Sequence, residues 1–202
     1  PANWKGLHID ALEKINKAPG VFDYKKLDWF NGQYIRQKSD EELLALLLPY
    51  LLKAGFVTEP IDGETREKLL LLTASAKERL KVLSDIVPLS RFLFEEPVWD
   101  DISLFAAKGV DLSVATEALE RADEVLKAGL AAGTEITVIE DQLSALAGEM
   151  GVKVGAVFMP IRVALTASTV SLPLFDSIRL LGEERSLGRI ERALAILKSE
   201  VR

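Results

Sequence analysis

Side chains able to do covalent or metal chemistry are scarce in these 202 residues. Cysteine is absent and histidine occurs once, as His8. That excludes a disulfide framework, a thiolate zinc site and a cysteine nucleophile. A lone histidine near the N-terminus makes neither a Ser-His-Asp triad nor a multi-histidine metal site. Paired carboxylates do occur, at Glu41/Glu42, Glu95/Glu96, Asp100/Asp101 and Glu183/Glu184. Adjacent carboxylates on a helix point in different directions, so they form no acid–base dyad. At helix starts and turns, acids satisfy free N–H groups and complement the helix dipole, and these pairs are read that way. No glycine-rich phosphate cradle, GxGxxG or GxxxxGK[ST], is present. With no nucleophile–base pair and no metal set, a free-standing enzyme is not a workable reading. The chain is expected to hold no cofactor of its own.

What remains is charge. The total is −6, from 25 Lys+Arg against 31 Asp+Glu. A nucleic-acid-binding domain usually shows the opposite sign. The distribution says more than the sum. Residues 113–150 hold 2 basic and 8 acidic groups, whereas residues 151–202 hold 8 basic and 5 acidic, and residues 66–82 hold 5 basic and 2 acidic. Screening limits a surface field to ~8–10 Å, so a local basic face can take an anionic partner on an acidic chain.

The elements that must position these charges are helical. Ser39-Asp40-Glu41-Glu42 spells a capping box ahead of a leucine-rich run from Leu43 that Pro49 should bend or divide. Lys53 suits its last turn and Gly55 a left-handed cap. Pro60 to Gly63 reads as a turn. Thr65 can then cap an amphipathic helix to about Ser84, with Leu69, Leu72, Ala76, Leu80 and Leu83 on one face and Arg66, Lys68, Lys77, Arg79 and Lys81 on the other. Pro88 ends that helix or starts the next turn, and Trp99 reads as core. Helical blocks follow at Ser113–Gly129, Ile136–Met150 and Val152–Thr166, the last containing Pro160. Ser171 reads as the cap of a helix with Pro173 at its first position, ended by Gly182. Ser186 reads as the cap of the last helix. Alternating strand patterns are too short to found a sheet, so the fold class is all-α. Residues 1–62, 63–112 and 113–202 form three successive units on this reading. No apolar run approaches the ~20 residues of a membrane span, and Pro1 to Asp10 lacks the pattern of a signal peptide. A soluble, cytoplasmic monomer with no membrane partner is the expectation.

The stretch Val21-Phe22-Asp23-Tyr24-Lys25-Lys26-Leu27-Asp28-Trp29-Phe30-Asn31-Gly32-Gln33-Tyr34-Ile35-Arg36 carries the pattern L-x-W-x-N-x-x-Y-I-R. It resembles the segment that follows the KMSKS loop in bacterial-type glutamyl-tRNA synthetases, class I aminoacyl-tRNA synthetases. The similarity continues through Arg79 to Phe94. It resumes at Gly151-Val152-Lys153-Val154-Gly155, at Pro160-Ile161-Arg162-Val163-Ala164-Leu165-Thr166 and at Pro173-Leu174-Phe175. It closes with Leu180 to Arg185 and Arg189 to Leu194. The family's HxGH-type and KMSKS-type signatures are absent. The resemblance therefore implies a C-terminal portion: the end of the stem-contact region (1–62), then two helical anticodon-binding domains (63–112 and 113–202). ATP and Mg²⁺ would serve the intact enzyme's catalytic domain, and the partner of this portion would be the anticodon loop of glutamate tRNA.

By the same resemblance, Arg79 falls on the arginine that reads the third anticodon base and selects cytosine there. Guanidinium donors on a helix suit the acceptor edge of cytosine. Arg162 and Leu174 fall where the first two anticodon bases are held, one able to stack on a splayed base and the other an apolar wall. Val154, Ser171 and Leu172 line the same region. Where the family's turn reads S-P-P, this chain has Ser171-Leu172-Pro173. Lys77 and Lys81 would meet phosphates, supplying affinity without sequence information. Trp29, Asn31, Tyr34 and Arg36 read as packing and stem-contact scaffold. A competing reading is a helical protein-interaction module that uses the leucine-rich 43–52 helix or the acidic 113–150 pair.

Overall fold

The computed structural model describes residues 24–107 and 109–200. His8 and the first residues of the family-like stretch, Val21 to Asp23, lie outside them. Among the described residues the secondary structure is helical, with no strand. In chain order the helices are α1 (Tyr24–Gln37), α2 (Asp40–Lys53), α3 (Gly63–Ala76), α4 (Ile86–Phe94), α5 (Leu112–Ala131), α6 (Ile136–Glu149), α7 (Val154–Thr166), α8 (Leu174–Leu181) and α9 (Glu183–Glu200). None of the described helices is long and apolar enough to cross a membrane.

Local chemistry explains most boundaries. The Ser39 hydroxyl accepts from Glu42 N at 3.2 Å while Ser39 N donates to Glu42 Oε2 at 2.9 Å, which is the expected capping box. The Ser39 N–H and hydroxyl both donate to the Glu42 carboxylate, which stabilises its charged form and lowers its pKa. Gly55, at φ 73°, supplies the left-handed residue past α2 that an L side chain resists. Pro49 does not divide α2, which runs unbroken through it to Lys53.

Three expected caps fall elsewhere. Asp62, not Thr65, caps α3, and Thr65 is the donor: its N–H reaches Asp62 Oδ1 at 2.7 Å. Helix α3 stops at Ala76 although apolar residues keep helical spacing to Leu83. The chain turns through Lys77–Arg79, and Leu80 is buried from the turn's far side. Pro88 neither ends nor follows a helix; it lies in the first turn of α4, where a missing N–H costs nothing. Helix α8 has Pro173 as its N-cap, and Ser171 makes no cap bond. Helix α9 begins at Glu183, so Ser186 is a buried residue within it and not its cap.

Helices α1 to α4 pack around Leu43, Leu47, Leu51, Leu69, Leu72 and Ile86. In the second half, α5 packs against α6, α7 and α9, using small residues (Ala115, Ala118, Ala122) that bring the helices close. Gly129 completes that seam: a Cβ there would lie 2.8 Å from Ile139 Cγ1 of α6. Helix α3 touches α8, and one apolar core runs through both halves. Burial of apolar area on this scale, at ~25 cal/mol per Å², is what holds helices too short to be stable alone.

Candidate nucleic-acid interface

Arg79 stands on the turn after α3. Ala76 O accepts from both Arg79 N (2.8 Å) and Leu80 N (3.1 Å), and Leu80 anchors the turn in the core. The guanidinium is exposed, on a turn and not on a helix as the periodicity suggested. Asp85 stiffens the next residues by accepting from Lys81 N and Val82 N, both at 3.0 Å. Among the described residues Arg79 has no carboxylate partner.

Arg162 lies on α7 and is half-buried. Its Nη1 donates to Ser171 Oγ at 2.7 Å and to the Leu172 carbonyl at 2.8 Å. Neither acceptor is charged. Burial and then the nearby positive charge of Arg79 both lower the Arg162 pKa. The positive charge of Arg79 thus reaches Arg162, far away in sequence, and neither arginine has a carboxylate partner among the described residues. Guanidinium stays protonated at neutral pH, so both arginines keep their charge and their donors.

The loop that links α7 to α8 completes this surface. Ala167 takes the left-handed conformation (φ 50°) and its N–H closes onto Val163 O at 2.8 Å. The Thr166 hydroxyl donates to Arg162 O at 2.8 Å. A cleft of about 490 Å³ opens between this loop and the end of α4, with Pro88, Arg91, Val98, Thr166, Val170 and Ser171 on its walls.

The remaining expected residues divide. Ser171, Leu172 and Leu174 lie beside Arg162 but are buried, at 2%, 0% and 4% exposure. In this form Leu172 and Leu174 serve the core, and what they offer the surface is backbone. Val154 is 40% exposed at the other end of α7, ~12 Å along the axis from Arg162 at 1.5 Å per residue. It is not brought next to the arginines. Lys81 is exposed, while Lys77 Nζ sits 2.6 Å from Asp40 Oδ1. Trp29 and Tyr34 do not pack inside: they are 57% and 66% exposed.

Composition and spacing missed one cluster. Arg189 is fully buried, and its guanidinium donates to Leu165 O (2.7 Å), Glu95 O (3.1 Å) and Glu96 Oε1 (3.1 Å). Arg192 bonds the other Glu96 oxygen, and Arg185 donates to Leu93 O at 3.0 Å. The Glu95/Glu96 pair is therefore not a helix-start cap. It follows the C-terminus of α4, the dipole's unfavourable end for acids, and arginines hold it there. The Arg192 and Arg189 bonds lower the Glu96 pKa. The sequence signal was Arg185, Arg189 and Arg192 at one-turn spacing. Nothing in spacing alone connects them to residue 96.

Guanidinium donors beside a carbonyl-bearing loop match the acceptors that single-stranded RNA presents on its base edges and phosphates. Residues 42–194 match the family model described as an anticodon binding domain, and the chain belongs to that family. The glutamate–tRNA ligase of Treponema denticola is 38% identical over 203 residues, a match covering 91% of this chain and 40% of the relative. That of Borrelia recurrentis is 39% identical over 191 residues, covering 93% and 37%. A crystal structure of a glutamate tRNA ligase from Elizabethkingia meningosepticum, in complex with its amino acid, superposes with a TM-score of 0.68 at 26% identity, over 92% of this chain and 35% of that one. The chain spans about two fifths of the length of these relatives.

Proposed function

We propose that this chain recognises the anticodon of glutamate tRNA as the C-terminal portion of a glutamate–tRNA ligase, in the cytoplasm and as a monomer. The observation that carries the reading is the match of residues 42–194 to the anticodon binding domain, with glutamate–tRNA ligase relatives aligned over 91% and 93% of the chain. Arg79, exposed and on a stiffened turn, is the reader of the third anticodon base, where cytosine presents O2 and N3 acceptors to a guanidinium. Arg162 is already spent in part on Ser171 and Leu172. Its role is to fix the loop and offer its remaining donors and planar face to a neighbouring base. Ser171, Leu172 and Leu174 shape that loop, and Val154 marks the outer limit of the surface. Lys81 meets phosphate; Lys77, tied to Asp40, contributes to the field from one step behind. Activation of glutamate with ATP and Mg²⁺ belongs, on this reading, to the rest of the polypeptide.

The competing reading, a protein-interaction module, has less to stand on. The leucine-rich helix α2 spends Leu43, Leu44, Leu47 and Leu51 on its own core. The acidic pair α5–α6 is partly neutralised by Arg121–Glu149 and by Lys127, which sits 2.8 Å from both Asp123 and Glu191.

The test is fluorescence anisotropy with an anticodon stem-loop of glutamate tRNA. Binding that weakens steeply with salt and prefers the cognate loop supports the reading. Equal binding to any stem-loop of the same length contradicts it.

A further inference from the structure

We infer that Glu96, Arg189 and Trp99 form a clamp that sets the position of Arg162 relative to Arg79, and that Glu96 is a positioning residue for anticodon discrimination. The inference rests on the proposed function above.

Two carbonyls of α7 stand close to Arg162 in the chain: Val163, directly after it, and Leu165. Both lie in the helix's last turn, where carbonyls lack intrahelical partners or share them. Val163 O accepts from Trp99 Nε1 at 2.9 Å, and Leu165 O accepts from Arg189 at 2.7 Å. Both donors are anchored to the segment that follows α4. Trp99 belongs to it, and Arg189 is bonded to Glu95 O and Glu96 Oε1 within it. Arg192 adds a bond to Glu96 and lies 5.9 Å from the Trp99 ring centroid.

The same segment is the rigid continuation of the Arg79 turn. Asp85 ties Lys81 and Val82 to the start of α4, and α4 is nine residues of helix ending at Phe94. Arg185 of α9 holds the Leu93 carbonyl at its end. Two short paths therefore leave the clamp: one back along α4 to Arg79, the other across two carbonyls to Arg162. The one carboxylate in contact with the buried Arg189 is Glu96. Losing its charge leaves a buried guanidinium uncompensated and frees it to shift away from Leu165. The two anticodon-reading arginines then lose their common reference, although neither is altered.

The experiment compares wild type, Glu96→Gln, Glu96→Asp and Trp99→Phe across the full chain, below the unfolding midpoint of each. The readout is the affinity ratio for stem-loops with cytosine against guanine at the third anticodon position. Couplings of this kind typically amount to a few-fold in affinity, so Glu96→Gln and Trp99→Phe should each lower the ratio about threefold or more. Glu96→Asp, which keeps the charge, should recover most of it. A ratio unchanged in Glu96→Gln, whatever its melting temperature, overturns the clamp. If wild type itself showed no cytosine preference, the functional reading would fail separately. Amide hydrogen exchange then decides the clamp: faster exchange at both 79–82 and 163–171 in Glu96→Gln supports it, and unchanged exchange overturns it.

Discussion

At the scale of single residues, chemistry rests on where a charge is placed and what it is denied. Arg79 is denied a carboxylate, and Arg162 is given only neutral acceptors. If Arg79 reads the third base as proposed, replacing it by Ala is expected to cost about 1–3 kcal/mol, confined to loops with cytosine at the third position. Lys81→Ala should behave differently. It is expected to weaken all stem-loops alike and to reduce the slope of log affinity against log salt by about 1. A Lys81 variant that changed base preference instead would place that lysine on a base. The arginines were legible because the family-like motifs surround them. The buried state of Leu172 and Leu174 was not, since an apolar residue in a loop reads equally as wall or core until the packing is known. Ser171 misled for a related reason: a serine before Pro173 looks like a cap, but its hydroxyl is engaged by a guanidinium nine residues earlier.

At the scale of elements, the sequence rules failed where tertiary partners outcompeted local signals. The apolar spacing through Leu80 and Leu83 predicts one long helix, but the chain turns at Lys77–Arg79 and still buries Leu80. Periodicity records which residues reach the core, not whether the backbone between them stays helical. Glu95/Glu96 fits the rule for acids at helix starts, yet stands at a helix end because three arginines of α9 face it. That cluster has a pH signature. The Glu96 carboxyl lies below its ordinary value of 4.5 in the folded protein. Its contribution is therefore full above pH 4.5 and lost as pH falls through the folded-state value. The melting-temperature gap between wild type and Glu96→Gln should be constant from neutral pH to about pH 5, then narrow as acid is added. A gap that widened in acid would contradict the ion-pair account. Gly129 offers a second element-level test. A helix-interior Gly→Ala change normally stabilises by up to ~1 kcal/mol. Here the new methyl meets Ile139, which is buried. Overpacking of this kind costs ~1–3 kcal/mol, so Gly129→Ala should lower the melting temperature.

For the whole molecule, net charge is a poor guide to partner. The −6 total sums an acidic helix pair and two basic stretches, and in the fold the charge of Arg79, from one basic stretch, reaches Arg162 in the other. The capping box and the order of the blocks from α2 onward were readable from punctuation alone, whereas the helical state of α1 was not. Which blocks meet was not, because α3 and α8 are joined by contacts across more than ninety residues that no spacing rule encodes. On the proposed function such a surface would make few phosphate contacts, and its affinity would depend on base contacts held in register.

That dependence gives the most direct test. The affinity ratio for anticodon stem-loops with cytosine or guanine at the third anticodon position should favour cytosine in the wild type. In Arg79→Ala the ratio should fall by about fivefold or more, while binding of the guanine loop stays nearly unchanged. An Arg79→Ala protein that kept the wild-type ratio would contradict the assignment of this turn as the anticodon reader.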